Sequence, residues 1–167
     1  AATPLALHDR GARRSSWLRA LTAAVTRDVA ERELAVLRNQ LNWSEADARS
    51  EIVDVPSRGP GNAVLAAAVY EHVSEIAIGI GERGRAAEHV AQDAARELQR
   101  YLVHTAPVGE HLCDQLLVPL ALGAGGSFTA TTWSPHAEAQ RLLLALFFGD
   151  VVTTSSSKAG VRVDVTR

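Results

Sequence analysis

The sequence predicts an α+β fold in two units. Three observations predict it. Segments of period-2 alternation stand beside segments of helical period without a regular β-α repeat, in the order strand, helix, three strands, helix, then helix, strand, helix, two strands. A composition break at Ala106-Pro107-Val108-Gly109 divides that order near residue 106. The 167 residues are 47% hydrophobic, which suits packed cores of domain size.

The elements follow in chain order. Residues 1–11 read as the tail of an earlier element, and residues 12–25 (ARRSSWLRALTAAV) as a long strand with weak alternation. Arg27-Asp28 opens a helix through about Gln40, with Val29, Leu34, Leu37 and Leu41 at helical spacing. Asp28 is the expected N-cap, with Glu31 three residues on as in a capping box. Residues 42–50 are turn-like, and Glu51–Val55 alternates as a short strand. SRGPGN (57–62) is a loop, because Gly-Pro-Gly continues neither regular structure. Ala63–Tyr70 and Glu75–Ile80 read as two strands, and GERG (81–84) ends the second. Helix 85–103 places Ala87, Ala91, Ala94, Leu98 and Leu102 on one face. Helix 110–122 contains Pro119, which should kink it near Val118. GAGG (123–126) ends that helix, Phe128–Thr132 is a short strand, and Ser134-Pro135-His136 starts a last helix with Leu142, Leu143, Leu146 and Phe147 expected inside. Val151–Ser155 and Val161–Val165 form a hairpin around SKAG (157–160).

Composition narrows the function classes. A net charge of −2 supplies no global basic field, so any nucleic-acid contact must come from a local patch. The arginines at 10, 13, 14 and 19 offer one such patch, or a solvated strand face. Trp17, Trp43 and Trp133 offer stacking surfaces or core packing. Cys113 is the only cysteine, which excludes an internal disulfide and makes the cytoplasm the expected compartment. No apolar run reaches the roughly 18 residues of a membrane span. The chain has no Met and begins AATPLALHDRG, so Ala1 is expected not to be the first residue of the gene product. His72, His89 and His104 match no zinc spacing.

Residues 111–136, HLCDQLLVPLALGAGGSFTATTWSPH, carry the chemistry. His136 follows Pro135 at a helix start, where amide groups without helical partners attract phosphate. Glycines 123, 125 and 126 allow close approach of backbone to a ligand; they also read as a plain helix stop. Asp114 offers a carboxylate for a metal or a ribose hydroxyl, and Gln115 both a donor and an acceptor. A neutral histidine beside bound phosphate is a candidate nucleophile toward phosphorus.

The segment EHLCDQLLVPLALGAGGSFT followed by SPH resembles the C-terminal signature of the RNA 3′-terminal phosphate cyclases. The family's nucleophilic histidine lies eight residues after the Phe of that signature, the spacing of Phe128 to His136 here. PLALHDRG (4–11), TRDVAERELAVL (26–37), GPGN (59–62), GERG (81–84) and VAQDAARELQRYL (90–102) resemble further family segments in the same order. The resemblance implies a cyclase core of βαβαββ repeats interrupted by a small α/β insert domain. Residues 1–11 would end a preceding core element, 12–105 would form the insert domain, and 106–167 the C-terminal part of the core.

It also implies an activity: ATP-dependent conversion of an RNA 3′-terminal phosphate to a 2′,3′-cyclic phosphate through a covalent histidine–AMP. His136 would be the nucleophile, and Asp114, Gln115 and His111 would line the nucleotide site. The cofactors implied are ATP and a divalent metal, Mg by resemblance. The partner is RNA with a 3′-phosphate end. Further contacts to ATP would come from an N-terminal half of the same protein or from a separate chain; a homodimer is open and a membrane is not expected. After the nucleophile the family often shows Thr-Asn, whereas this chain reads HAEAQ (136–140). That difference keeps an alternative open, a non-catalytic relative that binds RNA or assists ribosome assembly.

Overall fold

The computed structural model describes residues 3–166. They divide into two compact units. One holds the residues up to Ala12, Glu71–Val73 and those from Val103 onward; the other holds Arg13–Tyr70 and Ser74–Leu102.

The second of these units contains β2 (Arg13–Ala23), α1 (Arg27–Leu41), β3 (Arg49–Asp54), β4 (Gly61–Tyr70), β5 (Ser74–Ile80) and α2 (Ala87–Leu102). Its sheet has the order β3-β2-β4-β5. β2 and β3 pair in parallel, which requires a crossover, and α1 supplies it. β4 pairs antiparallel with both β2 and β5. Alternation along β2 turns Leu18, Ala20 and Thr22 inward against the two helices. Alanines at 66, 68 and 77 and along α2 let helix and sheet close tightly. Two local expectations are corrected. Asp28 does not cap α1: Thr26 is the N-cap, its side chain makes no cap bond, and Asp28 in the first turn pairs with Arg32. Glu31 pairs with Arg27 rather than closing a capping box. On α2, Tyr101 is buried, while Leu102 only flanks the core.

The other unit contains β1 (Leu5–Leu7), α3 (Glu110–Leu122), β6 (Gly126–Ala130), α4 (Pro135–Phe148), β7 (Val152–Ser157) and β8 (Gly160–Val165). Its chain order is therefore βαβαββ, with the other unit inserted between the first strand and the first helix. The sheet order is β1-β6-β8-β7, with β1 and β6 parallel and β8 antiparallel to both its neighbours. Phe128, Val163 and Leu117 lie at the centre of the core. α3 and α4 pack against each other beside this sheet.

The expected inner face of α4 is corrected. Leu144 and Ala137 are its buried residues. Leu142, Leu146 and Phe147 are 53%, 82% and 74% exposed, and Leu143 matches Leu142. The cause is geometric. The run Leu142–Phe148 is apolar around the whole helix, so periodicity does not select a face, and the described sheet meets only one of them.

Candidate functional site

Strand β6 organises the site. Its last residue, Ala130, bridges Val108 in parallel, with Val108 N–H donating to Thr129 O and Thr131 N–H to Val108 O. This pins the connector 106–109, and α3 starts directly after it with Gly109 as N-cap. α4 starts five residues beyond Ala130. The N-termini of both helices thus issue from the C-terminal end of β6. The structure brings His111 and Asp114, in the first turns of α3, to the same end of the strand as His136 in the first turn of α4.

His136 is exposed at the second helical position, behind Pro135. Pro fits the first helical position because its missing N–H has no helical partner there and its φ is preset. Ser134 is the N-cap, and its hydroxyl accepts from Ala137 N–H at 3.1 Å. Glu138 N–H goes to Ser134 O at 3.0 Å. The expected cradle of free amides is therefore reduced. With Pro135 lacking a donor and two amides engaged, the His136 N–H is what the first turn leaves for an anion.

Glu138 braces the turn. It accepts from Trp133 Nε1 at 2.9 Å and takes a two-pronged bond from Arg141 at 3.0 and 2.8 Å. The Arg141 guanidinium, and after it the Trp133 indole N–H, hold its carboxyl down at about 2. HAEAQ thus builds a braced first turn from a carboxylate, an arginine and an indole. Trp133 is tied through its nitrogen and partly packed against the core.

On α3, Asp114 is half-buried, and His111 and Gln115 are exposed. Pro119 lies inside this helix and has no N–H, so the carbonyl of Gln115 lacks its usual donor four residues on. The residue between His111 and Asp114 on the inner side, Cys113, is fully buried, and burial pushes its thiol up to about 12, with Asp114 and Glu110 adding to the rise.

The glycines serve the fold. Gly125 has φ +70° and Gly126 φ +145°, and a Cβ at Gly126 would stand 2.5 Å from both Leu5 N and Leu5 O. At Gly125 it would meet Val165 O at 2.6 Å. Neighbouring strands, rather than a ligand, occupy the space that these glycines open. Among the described residues no group of three or more His, Cys, Asp or Glu is placed to hold a metal. No helix there is long and apolar enough to cross a membrane.

In the inserted unit the two other tryptophans are engaged by arginines. Arg13 stacks over Trp43 at 4.6 Å, and Arg19 over Trp17 at 5.1 Å. Arg19 also pairs with Glu51, and Arg10, in the other unit, is buried with its Nε donating to Thr105 O. Sequence reasoning missed the Ser134 cap and the Glu138 brace. Ser-Pro at a helix start is a capping signal, and Glu138 to Arg141 is an (i, i+3) pair, so both were legible.

Residues 8–103 match the family model described as "RNA 3'-terminal phosphate cyclase (RTC), insert domain". Over 163 residues the chain is 40% identical to the RNA 3'-terminal phosphate cyclase of Ralstonia nicotianae, covering 96% of this chain and 46% of that protein. It is 37% identical over 163 residues to the protein of the same name in Ectopseudomonas mendocina, covering 97% of this chain and 48% of that one. The protein of that name in Salmonella enteritidis PT4 is 40% identical over 132 residues, 79% of this chain and 38% of its own length. The chain spans about half the length of the curated relatives it matches. With a βαβαββ unit interrupted after its first strand by a domain of this type, the chain belongs to the RNA 3′-terminal phosphate cyclase family.

Proposed function

We propose that this chain acts in the ATP-dependent conversion of an RNA 3′-terminal phosphate to a 2′,3′-cyclic phosphate. One observation carries the reading: His136 stands exposed on a braced helix start, eight residues after the buried Phe128 of β6. In the first step Nε2 of His136 attacks the α-phosphorus of ATP. A P–N bond forms, the P–O bond to pyrophosphate breaks, and AMP remains on the ring. The AMP then passes to the 3′-phosphate of RNA, releasing His136. The vicinal 2′-hydroxyl attacks that phosphorus, AMP leaves, and the ring closes. A divalent metal, Mg by resemblance, would offset phosphate charge.

Asp114, Gln115 and His111 would face the nucleotide from the start of α3. Asp114 suits a ribose hydroxyl, and Gln115, with a donor and an acceptor on its side chain, suits the edge of a base. The remaining contacts to ATP would come from the portion of the relatives that this chain does not span.

The test is labelling of the full-length gene product with ATP marked on its α-phosphate, followed by a 3′-phosphorylated oligonucleotide. Label should attach, then leave as cyclic-phosphate ends appear, and His136→Ala should take up none. RNA binding with no trapped adenylate would replace this reading with that of a non-catalytic relative.

A further inference from the structure

Gln140 lies one helical turn after His136 on α4. Residues four apart share a helix face, and helical Cα–Cβ bonds tilt toward the N-terminus. In the common helical rotamers a side chain at 140 reaches back over the turn that carries His136. Its Oε1 is buried and has no hydrogen-bond partner. An unmet buried acceptor costs roughly 1–3 kcal/mol, so such a group calls for a donor.

Several donors of that turn are already engaged. Ala137 N–H goes to the Ser134 hydroxyl and Glu138 N–H to Ser134 O. The Trp133 indole and the Arg141 guanidinium go to Glu138. His136 keeps its backbone N–H, directed along the helix axis, and an exposed ring, the one of the two that a side-chain rotation can bring to Oε1.

We propose that Gln140 is a positioning residue for His136: its Oε1 accepts the Nδ1–H of the imidazole and fixes the tautomer whose Nε2 carries the free lone pair. The bond forms when the exposed ring turns onto the helix surface. This inference rests on His136 being the nucleophile. The chemistry gives the bond a purpose. The Nδ1 proton stays in place while Nε2 forms the P–N bond and the P–O bond to pyrophosphate breaks. The ring gains positive charge in that step, so an acceptor on Nδ1–H is stronger in the transition state than before it. Orientation of a histidine through its second nitrogen is a general device.

The decisive measurement is nitrogen NMR of histidine-labelled full-length protein with adenylate formation followed in a single turnover. The unsubstituted protein should show His136 mainly as the Nδ1–H tautomer. Gln140→Leu and Gln140→Met, which keep the size and drop the acceptor, should move the ring toward Nε2–H. They should slow adenylate formation roughly 10- to 100-fold and leave the KM for ATP nearly unchanged. Gln140→Glu, which keeps an acceptor, should restore both tautomer and rate. An Nε2–H tautomer in the unsubstituted protein overturns the proposal, as does a normal rate in the Leu and Met variants. His136→Ala separates the two readings. If it still labels, the nucleophile is misassigned; if it is silent while the Gln140 variants behave normally, the nucleophile stands and the positioning role falls.

Discussion

Glu33 makes a quantitative prediction about stability. It lies on α1 with 0% exposure, packed into the core of the inserted unit. Asn62 donates to its Oε1, while Oε2 has no partner among the described residues. Burial raises its pKa from 4.5 to about 7, against smaller opposing effects of the Asn62 bond and Arg32; Glu88 adds to the rise. Moving the titration from 4.5 to about 7 is worth about 3 kcal/mol as an upper bound. The sign follows from linkage. Below the unfolded value both states are protonated and no penalty exists. As pH rises from about 4.5 through about 7 the unfolded chain ionises first, and stability is lost until the folded group ionises too. Glu33→Gln removes this titration. Its unfolding free energy relative to the unsubstituted protein should climb by up to about 3 kcal/mol between pH 4.5 and pH 8. Any packing cost of the amide enters as a constant offset. Hydrogen exchange of α1 and β4, followed by mass spectrometry across that range, reads the unit directly. A difference independent of pH would show that burial does not raise the Glu33 carboxyl above its unfolded value, and would refute the reasoning.

Three further outcomes follow. Gly126→Ala should lower stability by roughly 1–3 kcal/mol, seen as a drop in melting temperature, because φ +145° and the Leu5 backbone at 2.5 Å leave no room for a methyl. Ser134→Ala should cost about 1 kcal/mol through the lost cap and slow adenylate formation more than it weakens ATP binding; unchanged labelling kinetics would separate the cap from the chemistry. The Glu138 brace should survive acid: as a depressed carboxylate its linkage is present above the ordinary value of 4.5 and is lost only as pH falls through about 2. The fluorescence difference between the unsubstituted protein and Trp133→Phe should titrate near that lower value, and a midpoint near 4.5 would show that Arg141 and Trp133 do not hold the group.

Legibility in the sequence varied with the physics. Both hairpins and all four helices were readable, since Gly-Pro-Gly, GERG and SKAG punctuate the chain and α2 has a clean apolar stripe. β1 was not, because three residues carry no period; it becomes a strand only by pairing with β6, and that pairing completes the βαβαββ order. The face of α4 was unreadable for the opposite reason, an apolar run with no polar side to break the symmetry. At the site, the types and spacing of His111, Asp114, Gln115 and His136 were visible, but where their two helices start was not. That depends on the Val108–Ala130 bridge, which sets the starts of α3 and α4 at one end of β6. The glycines left two readings open because close approach to a ligand and close approach to a neighbouring strand demand the same residue.

Cys113 and His136 lie in the same functional stretch, and both residue types attack phosphorus, so the assignment of nucleophile needs an argument beyond spacing. The structure separates them. The thiol is fully enclosed, and with its pKa pushed up to about 12 it is protonated across the neutral range, which removes the thiolate that sulfur chemistry needs. His136 is exposed and needs only a neutral ring. The two linkages also differ chemically. AMP on imidazole is a phosphoramidate, cleaved in acid and durable in alkali. Label trapped on the protein should therefore vanish on brief acid treatment, survive base, and form at the ordinary rate in Cys113→Ser. An acid-stable label would indicate a sulfur or oxygen linkage, and with it the case for His136, and for the helix start built around it, would fail.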